Sequence, residues 1–375
     1  MKQFYTVLLL LLTVTVSAQI PSNYYDNATG TGYTLKTQLK TIITNGHIDH
    51  GYSNSLYIAY QTSDNDSYYE NDNTVLDMYS ENPSATDPYN FAHDTDGSSA
   101  TGQACGNYSV ESDCYNREHI FPQGFFDSKN PMRGDIHHVI PTDGRVNGFR
   151  NNYPFGKVGT SLVSQSNISN PTQNGSKLGN CISPGYSGTV FEPIDEFKGD
   201  IARMLLYFAV RYEDNWNDSG WSSHTVANNM LNGTSDQFYE TWYINLLYSW
   251  HLQDGVSQKE IDRNNAAYAY QGNANPFINH PEYVQAIWSS ILSVDEFETV
   301  DTIKMYPNPT NGNTVTIQTN KNISVEVYDV LGKKIKQQNI TSSQNKLNIS
   351  GLSKGVYLVR FISSTGSTTK KLVKQ

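Results

Sequence analysis

The chain alternates between three kinds of hydrophobic patterning. At the N-terminus Lys2 precedes an uninterrupted apolar run, Val7–Leu12, which continues through Val16 to Ala18. A charged start, a short apolar core and small residues at the −3 and −1 positions predict a signal peptide over 1–18, with a mature chain beginning at Gln19. The core is too short for a bilayer span, and no later segment approaches one. In the middle of the chain, Asn116–Phe121 reads as a strand stopped by Pro122, and Asp135–Ile140 as a second strand stopped by Pro141. Thr142 or Asp143 then caps a helix over Gly144–Asn152, which makes a strand–strand–helix unit. Ile201, Met204, Leu205, Phe208 and Tyr212 recur at helical spacing and predict a core-facing helix, and Thr241–Leu252 is apolar nearly all round. From Thr314 onward the period drops to two in short runs, Thr314–Thr319, Ile323–Tyr328, Leu347–Ile349 and Gly355–Ile362, separated by turn residues. That spacing predicts a small β-sandwich. The fold class is therefore α+β: a mixed helical body containing the strand–strand–helix unit, then a small all-β domain. The boundaries fall at 19–295 for the body, 296–302 for a linker within the acidic run Ser293–Thr302, and 303–375 for the tail.

Composition sharpens this outline. With 375 residues and 12% aromatic side chains, the chain can bury a sizeable core, which excludes disorder and coiled coil. The formal charge is −10 but is unevenly spread. The tail from Asp301 holds ten lysines and one arginine against three acids, a net of +8, whereas residues 19–300 carry 14 bases and 33 acids, a net of −19. Six of those bases (Arg117, Lys129, Arg133, Arg145, Arg150 and Lys157) fall within one 41-residue window with only four acids. Such a window on an acidic body predicts a focused electropositive cleft. Of the three cysteines, Cys105 and Cys114 enclose a short loop and are the natural pair in an exported chain, which leaves Cys181 unpaired. An odd count leaves the pairing open at this stage.

The basic window also concentrates chemistry: Glu118-His119, Asp135, His137-His138 and Asp143. On the predicted helix Asp143, Asn147, Arg150 and Asn151 share one face. Phosphodiester hydrolysis needs an activated water, a cation near the phosphate and donors that hold the strand. An imidazole serves as general base near neutral pH, and a hard dication takes carboxylate and amide oxygens. Glu118, His119 and Asn147 supply ligand, base and ligand. Neighbours on a regular strand point to opposite faces, so this reading requires a bend or bulge at Glu118–His119.

Two resemblances follow from quoted residues. NREHIFPQ and DIHHVIPTDGRVNGFRNNYPFG, with NDNTVLDMYSENP, FEPIDEFKGDIARMLLYFAVRY and QGNANPFINHPEY in order, resemble the secreted bacterial endonuclease I family of ββα-metal (His-Me finger) nucleases. The tail motifs MYPNPTNG, VYDVLGKKI, GLSKGVYLVRF and KKLVKQ resemble the C-terminal sorting domain of the type IX secretion system. The first resemblance implies a Mg²⁺-dependent endonuclease, with Ca²⁺ or Mn²⁺ as substitutes. It would cut DNA, with RNA as a second substrate, at little sequence preference and leave 5′-phosphate ends. His119 matches the general base, and Glu118 and Asn147 match the metal ligands. In some members of that family an arginine from a disulfide-bounded insert between the two strands contacts the phosphate; here that connection is short and lacks cysteines, so Arg150 takes its place as candidate, with Arg133 second. Asp135, His137, His138 and Asn151 are expected to hold the site in shape or contact phosphate. The second resemblance implies export through the periplasm by the type IX machinery, with the product released or held at the cell surface. Two other readings stay open: a zinc metallohydrolase built on His137 and His138, and a non-catalytic surface adhesin.

Overall fold

The structure is a computed structural model and describes residues 19–98, 101–215, 227–292, 303–319, 322–329, 333–341, 343–363 and 366–375. The expected signal peptide and linker lie outside the described residues. The chain forms two compact units, Met1–Leu292 and Ser293–Gln375.

The first unit begins with α1 (Gly32–Thr44) and α2 (Ser55–Ser63), followed by a long irregular stretch to β1 (Tyr115–His119). β2 (Val139–Asp143) pairs antiparallel with β1, placing Asn116 opposite Thr142, Glu118 opposite Ile140 and His119 opposite Val139. α3 (Gly144–Arg150) follows at once, and the Asp143 carboxylate caps it by accepting from Val146 N at 2.7 Å. A three-stranded antiparallel sheet comes next: β3 (Val158–Leu162), β4 (Lys177–Cys181) and β5 (Thr189–Glu192). The unit closes with α4 (Lys198–Arg211), α5 (Ala227–Met230), α6 (Thr241–Gln253), α7 (Gln258–Gln271), α8 (Pro276–Asn279) and α9 (Tyr283–Trp288).

α4 is the central pillar, with every residue buried. The apolar stripe Ile201, Met204, Leu205, Phe208 and Tyr212 fills the main core, where Phe208 stacks on Phe121 at 4.1 Å between ring centres. Its polar residues survive there because they are paired. Arg203 is fully buried and reaches Glu260 on α7 through Nη2 at 2.7 Å, so it does not enter the basic cleft.

The strand–strand–helix unit exists, with one shift. The expected second strand, Asp135–Ile140, begins four residues later and runs through Pro141, which faces Arg117 in the register. Proline is tolerated because a two-stranded ribbon has an edge that needs no donor. Asp135 diverts the chain upstream: its carboxylate accepts from His137 N at 3.0 Å and its carbonyl from His138 N, which closes a turn instead of a strand.

The second unit is all β, and its two sheets share one core. β6 (Lys304–Tyr306), β7 (Thr314–Gln318) and β10 (Lys346–Asn348) form one sheet; β8 (Ile323–Tyr328), β9 (Lys334–Ile340), β11 (Gly355–Ser363) and β12 (Gly366–Lys374) form the other. Val315 and Ile317 of the first sheet bury against Val325, Val327, Val359 and Phe361 of the second. The strands that alternation missed, β6, β9 and β12, are all sheet edges and carry Lys304, Lys334, Lys336, Lys370, Lys371 and Lys374. Lysines along an edge discourage pairing with another chain, which accounts for much of the basic charge without any substrate.

Candidate active site

β1, the start of α2 and α3 enclose a groove of about 420 Å³ lined by Tyr52, Asn54, Tyr57, Asn116, Arg117, Glu118, His119, Gln123, Asn147 and Arg150, among others. Glu118 and His119 both border it, yet the pairing of β1 with β2 runs without a register shift. The expected bulge is absent. Four consecutive residues of β1, Asn116 to His119, border the groove, so it reaches side chains on both faces of the strand.

His119 is 4% exposed, and its Nε2 lies 3.0 Å from the carbonyl of Arg133. A carbonyl can only accept, so Nε2 carries the proton and Nδ1 keeps the lone pair. Burial depresses the affinity of this ring for a proton well below the ordinary imidazole value; nearby His138 adds to this, and the bond to the Arg133 carbonyl opposes it. The neutral, basic form is therefore the resident one at neutral pH.

Glu118 is 2% exposed. Its Oε1 accepts from Tyr79 Oη at 3.0 Å and from Arg150 Nη1 at 3.1 Å. Burial raises its carboxyl to about 7, against the opposing pull of Arg150 and of the bond from Tyr79. Asn147 gives Nδ2 to Asn116 Oδ1 at 2.7 Å, which orients the amide and leaves Oδ1 uncommitted among the described residues. A fixed carboxylate and an amide oxygen facing one groove are the donor chemistry a hard dication prefers, so these residues fit the metal that the resemblance implies.

Arg150 departs from expectation. It is 1% exposed, gives Nη1 to Glu118 and to the carbonyl of His119 (3.0 Å), and gives Nη2 to the carbonyl of Ile120 at 2.8 Å. Its guanidinium also lies 4.5 Å from the Phe155 ring. These bonds leave a phosphate little to engage: Arg150 clamps α3 onto β1 and neutralises Glu118. Arg117 and Arg133 have no carboxylate partner among the described residues. They sandwich the Tyr52 ring at 3.6 and 4.1 Å, and Arg117 is tied further by Nη1 to the Ser53 carbonyl.

The residues expected around the site divide. Asp135 is fully buried and accepts from Tyr207, Tyr212 and Gln271 at 2.7–2.8 Å, which makes it a hub joining α4, α7 and the turn before β2. His137 and His138 are buried as well, and each commits Nε2 to a carbonyl, of Asn273 (2.9 Å) and Met132 (2.7 Å). Burial lowers both to about 4. Their rings part, one onto Tyr207 and the other onto Phe208, so they do not gather as a zinc set. Asn151 lines the groove at the C-terminus of α3, its Oδ1 accepting from Asn152 N.

Tyr79, Tyr52 and Asn116 were not singled out from the sequence, and Arg117 only as one base of the electropositive window. Tyr79 lies in NDNTVLDMYSENP, far along the chain from Glu118, and no periodicity links the two.

The bond between Cys105 and Cys114 holds a loop that brings Cys105, Gly106 and Tyr108 to the groove, while Cys181 is free and buried. Tyr108 lies across two glycines one helical turn apart. A Cβ at Gly144 would come 2.6 Å from Tyr108 Cδ1, and one at Gly148 2.4 Å from its Oη. Gly148→Ala is expected to cost about 1–3 kcal/mol in urea unfolding, because the ring must move. In a Tyr108→Ala background the same change should cost far less.

The family model described as Endonuclease I matches residues 31–282, and the one described as Secretion system C-terminal sorting domain matches residues 304–375. The chain belongs to the Endonuclease I family, and it is a secreted nuclease that carries a sorting domain. Curated relatives include an extracellular ribonuclease of Bacillus subtilis (strain 168), 33% identical over 272 residues, covering 71% of this chain and 78% of the relative. An extracellular ribonuclease of Bacillus amyloliquefaciens is 33% identical over 271 residues, with the same coverage. Membership rules out the adhesin reading and implies a nucleic-acid substrate and a divalent metal in general. Among the described residues no helix is long and apolar enough to cross a membrane.

Proposed function

We propose that this nuclease hydrolyses both DNA and RNA at internal phosphodiester bonds, with little sequence preference, through a ββα-metal core made of β1, β2 and α3. The observation that carries the reading is the His119–Arg133 bond, which fixes an unprotonated Nδ1 in the same groove as Glu118 and the free amide oxygen of Asn147. Magnesium, with calcium or manganese as substitutes, would be held by Glu118 and Asn147. When bound it supplies positive charge to the phosphate and to the departing oxygen. Nδ1 of His119 takes the proton from the attacking water. Arg117, braced by Tyr52, faces the phosphate backbone, with Arg133 on the other side of the ring. These contacts position a strand without reading bases. The bond from phosphorus to the 3′ oxygen breaks, that oxygen takes a proton from solvent water to become a hydroxyl, and the product keeps a 5′-phosphate. No 2′-hydroxyl takes part, so DNA and RNA follow one route, and the relatives' ribonuclease names support the RNA half of this reading. The sorting domain directs the chain through the type IX machinery, by way of the periplasm, to the exterior or the cell surface.

The test uses the full chain, treated with chelator and then given Mg²⁺, on plasmid DNA and on a single-stranded RNA. Cleavage of both, abolished by chelator and yielding ends that ligate directly as 5′-phosphates, is expected. RNA products ending in 2′,3′-cyclic phosphate would defeat the mechanism, and activity in Zn²⁺ alone would return attention to His137 and His138. Cleavage should also slow as salt rises from low to physiological strength, because each phosphate contact displaces counterions. A rate indifferent to salt contradicts the backbone-contact picture.

A further inference from the structure

Outside the groove, the irregular stretch between α2 and β1 collects acidic side chains. Asp66, Glu70 and Glu81 each place one carboxylate oxygen within 4.8 Å of the others. Ligands on opposite sides of a calcium ion at 2.3–2.6 Å lie about 5 Å apart, so one ion can bridge this spacing. The chain is wound to hold the arrangement. Asp66 Oδ1 accepts from the backbone N of Tyr68 and Tyr69, and Oδ2 from that of Glu70, at 3.1–3.2 Å. The carbonyl of Asp77 accepts from Ser80 N and Glu81 N, which turns Glu81 back toward that loop. Acidic residues grouped this way need no ion by themselves. The second observation is the state of Glu81: the residue is 1% exposed, and its Oε1 is buried with no hydrogen-bond partner among the described residues. The charged groups facing it are Asp87, Glu70, Asp66 and Asp77, all acidic, and none of these five is ion-paired among the described residues. A buried, unpartnered carboxylate is costly unless a cation or a proton occupies it.

We propose that Asp66, Glu70 and Glu81 form a calcium site, separate from the catalytic metal ligands, that ties the 66–70 loop to the 77–81 turn. Calcium suits it better than magnesium, since it accepts six to eight oxygens in loose geometry, whereas magnesium demands a near-ideal octahedron. The 77–81 turn also carries Tyr79, the donor to Glu118 Oε1, so the ion would steady a segment that reaches the groove. The sequence hides this site because the D-x-D-x-D-G loop pattern is absent and the ligands come from two segments.

The experiment is thermal unfolding of the chelator-treated full chain with and without CaCl₂, on the wild type, Glu81→Gln, Glu70→Ala and Asn147→Ala. The wild type is expected to gain about 5 °C at saturating calcium. Glu81→Gln and Glu70→Ala should lose most of that increment, and Asn147→Ala should keep it. Glu70 is exposed, so its variant folds even if Glu81→Gln does not. Three results would overturn the proposal: no calcium-dependent shift in the wild type; a full shift retained in Glu70→Ala or Glu81→Gln; or a shift lost only in Asn147→Ala, which would put the ion at the catalytic site alone. In the first case a Glu81→Gln melting temperature in chelator at or above the wild-type value would identify a proton as the occupant.

Discussion

His119→Ala is expected to lower kcat by about 10²–10⁴-fold, the range that a positioned general base contributes. Only Nδ1 of this ring is free to accept the proton, because Nε2 is spent on the Arg133 carbonyl. The substitution leaves a hole beside Tyr52, Phe126 and His138, so added imidazole should restore part of the rate. Rescue separates a lost base from a collapsed groove. The pH profile of the wild type checks the same claim from another direction. Burial, then His138, holds His119 well below the ordinary imidazole value. At saturating metal the rate should therefore stay level as pH falls through 6.5 and decline only below it. A profile that halves at pH 6.5 would mean that a solvent-exposed imidazole, not His119, takes the proton.

Arg150→Ala is expected to destabilise the fold by about 3–5 kcal/mol, a fall in melting temperature on the order of 10 °C. The substitution takes the only cationic partner among the described residues from the buried Glu118, leaving it neutral donors such as Tyr79, and it strips donors from the carbonyls of His119 and Ile120. Arg150→Lys should recover little, since one ammonium on a flexible stem cannot reach all three acceptors in the geometry of the planar fork. The unpaired Glu118 should hold a proton more tightly, so the metal concentration needed for half-maximal activity should rise as well. Lost activity with an unchanged melting temperature would restore Arg150 to the phosphate-contact role that the sequence suggested for it.

That reassignment shows where sequence reading stops. Helical spacing placed Asn147 and Arg150 on one face correctly, because a 3.6-residue period is a local property. It could not say that the Arg150 face turns onto β1 and that Arg150 ends among buried carbonyls. Pro141 was legible as a break, and Asp143 as a cap, yet the strand ran through the proline because only one ribbon edge is paired. His137 and His138 invited a metal reading by composition alone. The Asp135 turn, invisible to periodicity, instead lays the two rings on neighbouring aromatics of α4, Tyr207 and Phe208, and commits their Nε2 atoms to separate carbonyls, of Asn273 and Met132. Tyr79 and Tyr52 were unreadable for a simpler reason: long loops bring them in, and loops carry no period. The tail was legible wherever alternate residues enter the shared core, and lost on the polar edge strands.

The tie between Cys105 and Cys114 has a cellular consequence. It closes the loop that carries Tyr108 across α3 and forms one bank of the groove. Thiols in the cytosol are kept reduced, so the finished bank forms only after the chain has left. A cell that makes this nuclease thus keeps its own nucleic acid away from the assembled blade until the molecule is outside.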